Sequence, residues 1–130
     1  MLVLGEGNSH PNLPVMLTEF GGIAWSADDG SWGYSRARSA QAFAEQYKRL
    51  LAVVRSLPVL AGFCYTQFSD TYQEANGLLF GDRTAKFPLE EIARATLGPT
   101  TAQEREAEFV WREELMRRQR DPYVERQEVY

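Results

Sequence analysis

The chain is poor in the residues that bind metals and form cross-links. Cys64 is the only cysteine, which excludes an internal disulfide and a cysteine-built zinc site. His10 is the only histidine, in a polar leader, so a histidine-built metal centre is not expected. No apolar run approaches the roughly 20 residues of a membrane-spanning helix. A basic excess is missing too: 14 Lys and Arg stand against 18 Asp and Glu, a net charge of -4 that attracts neither nucleic acid nor an anionic membrane. The opening MLVLGEGNSH has no basic start and no long apolar stretch, so no secretory signal is expected and the expected setting is the cytoplasm. No cofactor is expected.

What is present is the composition of an ordinary globular chain. At 130 residues, 44% hydrophobic and 25% charged, it is long enough for one domain with a core. Charge is unevenly placed. From Thr100 onward Glu and Arg dominate and large apolar residues thin out. Residues 1–99 therefore read as a packed unit and 100–130 as a charged tail, helical or disordered. A helix over 102–120 would carry Phe109, Trp111, Leu115 and Met116, which do not form one stripe.

The stretch PVMLTEFGG predicts a strand over 14–20. Val15, Leu17 and Glu19 alternate onto one face, and Met16, Thr18 and Phe20 onto the other. Both faces are mostly apolar, as in a parallel strand covered on both sides. Gly21 and Gly22 release the chain into a loop to about Tyr34 that holds Trp25, Trp32, Asp28 and Asp29. Residues 35–57 then show helical spacing through Phe43, Tyr47, Leu51 and Val54, with Ser35 as N-cap and Pro58 as stop. Residues 59–70 begin as a second apolar strand, with Cys64 as an inert core residue, and end in Thr66, Gln67, Ser69 and Asp70. A long loop follows, with a turn signal at Asn76-Gly77. A second helix runs from Pro88 to Gly98-Pro99, with Leu89, Ile92, Ala93 and Leu97 on its apolar side. The order strand, helix, strand, helix, with long loops after each strand, belongs to β/α proteins that work at the carboxyl ends of parallel strands.

The motifs PVMLTEFGGIAW, WGYS and GFCYTQFSDTYQEANGLLFGDRTAKFP together resemble the end of the catalytic barrel of glycoside hydrolase family 2, over roughly residues 12–98. The family includes β-galactosidases, β-glucuronidases and β-mannosidases. The resemblance implies that the TEFG strand is the seventh of a (β/α)8 barrel and that Glu19 is the catalytic nucleophile. It also implies that LAGFCYT is the eighth strand. A retaining glycosidase needs a carboxylate that attacks the anomeric carbon and forms a covalent glycosyl-enzyme. Aromatic faces and polar side chains read the sugar, which makes Trp25, Tyr65, Gln67 and Asp70 the substrate-binding candidates, with Trp32 a further loop aromatic. Thr66 stands where many members carry a tryptophan. Glu74-Ala75-Asn76 aligns with the element by which glucuronidases hold a sugar carboxylate through lysine, so a neutral β-hexoside is the expected substrate. Arg83 and Lys86 are expected to brace the loop.

The mechanism uses two carboxylates, roughly 5 Å apart in retaining enzymes. The family's acid/base glutamate follows an asparagine, and no Asn-Glu pair occurs here. No motif marks Glu6 or Glu74 as a replacement. A full barrel takes about 250 residues. The expected fold is thus α/β: a partial (β/α)8 TIM barrel comprising its last two β/α units, plus the charged tail. Activity would require the missing strands from a partner, and without them self-association is expected. The alternative is a non-catalytic remnant or partner-binding module.

Overall fold

The computed structural model describes residues 13–26 and 33–120, with side chains to residue 118. Glu6, His10, Asp28, Asp29, Trp32 and residues 121–130 lie outside the described residues. The elements are β1 (Val15–Gly21), β2 (Ile23–Ala24), β3 (Ser35–Arg36), α1 (Ala40–Arg55), β4 (Leu60–Thr66), α2 (Leu89–Leu97) and α3 (Ala102–Arg120). β1 and β4 pair in parallel, and β2 and β3 form a second, short parallel pair. Parallel neighbours need a long crossover, and α1 lies within it. The architecture is mixed α/β, and the described strands do not close into a barrel.

The predicted loop after β1 and the predicted start of the first helix both change. Tyr34 N–H donates to Gly22 O at 2.9 Å and Ala37 N–H to Ala24 O at 2.8 Å, which draws residues 35–36 into strand pairing. Ser35 is therefore not the N-cap. Ser39 is: its backbone is extended and its hydroxyl accepts from Ala42 N–H at 3.0 Å, satisfying one of the free donors of the first turn.

The apolar spacing of α1 is realised as expected. Phe43, Tyr47, Leu51 and Val54 are buried. Phe43, Tyr47 and Leu51 pack with Ile23, Ala37, Leu78, Phe87 and Ala95, flanked by Phe20, Phe63 and Tyr65 of the sheet. Aromatic edges meet faces throughout: Phe20 against Phe63 and Tyr65, Tyr47 against Tyr65, Phe43 against Phe87. Each such buried side chain contributes about 1.5–3 kcal/mol of transfer free energy.

α2 is rotated relative to the expected face. Ile92 packs against the core as expected, but Leu89, Ala93 and Leu97 are exposed, and Ala95 is the buried residue. Two polar links to α1 fix this orientation. The Arg55 guanidinium donates to Ala95 O, and Tyr47 Oη meets Thr96 Oγ1 at 2.8 Å. Thr96 spends its own proton on Ile92 O, so Tyr47 is the donor.

The sheet is covered on one side only, which corrects two expectations. Met16 is half exposed beside Gly62, and Cys64 is exposed. The strands are not buried on both faces, and Cys64 is not a core residue. The helices lie against the face of Phe20, Phe63 and Tyr65 and leave the other bare.

α3 begins on a reciprocal cap. Glu104 N–H donates to Thr101 Oγ1, while Glu104 Oε2 accepts from the backbones of Thr100 and Thr101 and from the Thr100 hydroxyl. Glu108 then pairs with Arg55 at 2.6 Å, and Lys48 lies 5.8 Å from the Trp111 ring. The charged tail is thus helical over 102–120 and docked on α1.

Candidate functional site

Glu19 sits near the carboxyl end of β1. Leu17 is in register with Phe63 and Phe20 with Tyr65, so three steps along β1 match two along β4. The irregularity breaks the expected common face of Val15, Leu17 and Glu19. Leu17 and Phe20 both fall beside residues of the helix-facing side of β4. Glu19 is exposed, on the bare face of the sheet. An extra residue in one strand re-aims a side chain in this way.

The two glycines after Glu19 end β1 and leave room for aromatic rings. Gly21 has φ +105° and Gly22 φ +66°, conformations that suit glycine. A Cβ on Gly21 would stand 2.2 Å from the Tyr65 ring, and one on Gly22 2.2 Å from the Tyr34 ring. The space they leave is filled by aromatic rings.

Tyr65 is turned away from Glu19. It is wedged between Phe20 and Tyr47 on the helix side, and its buried hydroxyl has no hydrogen-bond partner among the described residues. Burial pushes that hydroxyl well above the ordinary phenol range. The structure does not bring this residue to the candidate sugar face.

Trp25, Gln67 and Asp70 do gather at the carboxyl ends of β1 and β4. Trp25 N–H donates to Ala75 O at 3.0 Å, and its ring lies 5.4 Å from that of Phe80. Gln67 follows a cis peptide bond at Thr66–Gln67. Its backbone is tied to Asn76 O and Leu78 N–H, and its side chain donates to Thr71 Oγ1 at 3.1 Å. Asp70 Oδ1 accepts from Gly77 N–H at 2.8 Å and from Lys86 Nζ at 2.7 Å.

The 67–87 loop is far more ordered than its turn signals imply. Asn76 and Lys86 are buried, and Asn76 presents a carboxamide with no partner among the described residues. Thr71 and Glu74 close a small hairpin through two backbone hydrogen bonds. Lys86 braces the loop, as expected. Burial lowers its pKa from the ordinary lysine value, and Asp70 offsets part of that shift. Arg83 is exposed at a tight turn with φ +74°. Sequence reasoning missed Phe80 as the platform under Trp25. Its only signal was its place inside the apolar run GLLF.

A separate cavity of about 450 Å³ lies between α1, α2 and α3, lined among others by Lys48, Arg55, Arg94, Glu108 and Trp111. None of the candidate sugar-site residues lines it. Among the described residues no cluster of His, Cys, Asp or Glu is arranged to hold a metal ion, and no helix is long and apolar enough to cross a membrane.

No protein-family model matches this chain, and no curated protein matches it.

Proposed function

We propose that the chain is the nucleophile-bearing part of a retaining glycoside hydrolase of family 2 type, the last two β/α units of a (β/α)8 barrel. The observation that carries this reading is the placement of Glu19. It is an exposed carboxylate near the carboxyl end of a parallel strand, on the face that the helices leave bare. In a closed barrel that face is the interior, where barrel enzymes work at the strand ends. The TEFG, CYTQ, NGLL and DR..K motifs add their resemblance to this placement.

In this mechanism Glu19 attacks the anomeric carbon as the glycosidic bond breaks. A second carboxyl group protonates the leaving oxygen, and water then releases the sugar from Glu19. A partner that completes the barrel would supply that second group and the rest of the pocket. Trp25 offers an aromatic face, and Gln67 and Asp70 offer polar groups to sugar hydroxyls. Glu74 in the loop disfavours a uronic acid by like charge, which favours a neutral β-hexoside.

The test is covalent trapping. The chain is incubated with a mechanism-based 2-deoxy-2-fluoro glycoside, alone and with a complementing barrel fragment, and digested for mass spectrometry. The expected result is one glycosyl adduct on Glu19 with the complement present, and none on Glu19→Gln. No adduct under either condition overturns the proposal. One observation favours a second reading, a non-catalytic remnant or partner-binding module: the sequence has no Asn-Glu pair to act as acid/base.

A further inference from the structure

Lys86 is a buried charge for which the proposed chemistry has no direct use, and the polar contacts of its ammonium lead to the candidate site. Its ammonium donates to Asp70 Oδ1 and to Ala75 O, each at 2.7 Å. The Ala75 carbonyl has two lone pairs, and the other is taken by Trp25 N–H. The same ammonium lies 5.4 Å from the Phe80 ring, on which Trp25 packs, and 5.5 Å from the Phe43 ring. Asp70 Oδ1 in turn holds Gly77 N–H. One side chain thus meets the loop that follows β1 and the loop that follows β4. It does so through a shared carbonyl, a shared ring and an ion pair.

We propose that Lys86 is the positioning residue of the candidate sugar site, fixing Trp25 and Asp70 relative to each other without touching substrate. The inference rests on the sugar-site reading above. A buried ammonium is costly unless fully partnered. Here the partners are the groups that frame the site, whereas a loop that only needed filling would be served by an apolar residue such as methionine. Glu19 lies between Leu17 and Phe20, whose pairing with β4 fixes that stretch of β1, and Lys86 does not enter this pairing. Loss of Lys86 should therefore weaken sugar binding far more than the attack itself.

Two variants test this: Lys86→Met, and the double variant Lys86→Met with Asp70→Asn, which leaves no half-buried carboxylate without its lysine partner. Hydrogen exchange on the whole chain is the first readout. The expected result in both variants is a fall of about tenfold or more in Trp25 amide protection, with Leu51 in α1 unchanged. Unchanged protection at Trp25, or an equal fall at Leu51, overturns the proposal. The second readout is the rate of fluoro-glycoside trapping with the complementing fragment. Lys86→Met should raise the half-saturating concentration about tenfold while the maximal rate changes less than about twofold. Superimposable curves overturn the proposal. If the natural chain is not trapped at all, the glycosidase reading fails, and hydrogen exchange alone still decides whether Lys86 fixes Trp25.

Discussion

A methyl group at Gly77 would lie 2.3 Å from the backbone of Ser69 and Asp70. Neither neighbour is the end of a flexible side chain, so the loop itself would have to move. Gly77→Ala is expected to cost about 1–3 kcal/mol, as overpacking of a close contact does, and to release the Asp70 bond to Gly77 N–H. Chemical denaturation measures the loss. A midpoint unchanged from the natural chain would mean that the loop has slack. The Asn76-Gly77 pair was legible in the sequence as a turn. Its burial was not, because it depends on Lys86, Asp70 and Ala75 meeting across the loop. In the same way Gly21 and Gly22 were legible as a break in the strand, while the rings that need their small size come from Tyr65 and Tyr34. Residue type announces a backbone option here, and distant side chains decide what the option is for.

At the scale of the element, the clearest pH dependence belongs to the start of α3. Glu104 accepts hydrogen bonds from two backbone N–H groups and a hydroxyl, which hold its pKa down to about 2. A folded pKa below the unfolded value means that the carboxylate form favours the helix. This contribution is complete above the ordinary glutamate value of 4.5 and is lost as the pH falls from there to about 2. Far-UV circular dichroism should show helix loss through that window, and Glu104→Gln should reduce the pH-dependent part. An acid titration identical in the variant would refute the assignment. The helical reading of 102–120 agrees with α3, while the capping box at Thr101-Ala102-Gln103-Glu104 was not singled out in the sequence. The start of α1 was read four residues early, at Ser35 instead of Ser39. Both are serines ahead of a helical pattern, and the choice between them is made by β2 pairing with β3. The face of α2 was misread for a related reason. Hydrophobicity pointed to Leu89 and Leu97, but the bonds from Arg55 and Tyr47 turn Ala95 inward and leave both leucines in solvent.

For the whole molecule, the main feature is a parallel pair with helices on one side. Among the described residues β1 and β4 each keep one edge without a strand partner. Unpaired edges template association with another chain. Light scattering coupled to size-exclusion chromatography should therefore give a mass above the 14.8 kDa monomer that rises with concentration. A sharp monomer peak with one cooperative melting transition would count against this. The β/α order and the long loops at the carboxyl ends of the strands were legible because hydrophobic periodicity and glycine or proline punctuation are local signals. The irregularity that sets Glu19 on the bare face was not legible, since it is a property of register between two strands 45 residues apart in sequence (Val15 to Leu60).

Cys64 gives that bare face a chemical handle. It is the chain's only thiol and it is solvent-accessible on β4, in the strand that pairs with the one carrying Glu19. Alkylation by a small maleimide thus reports directly on whether anything has covered the sheet. A complement that closes a ring of strands would slow the reaction there, while one that binds at α3 would leave it untouched.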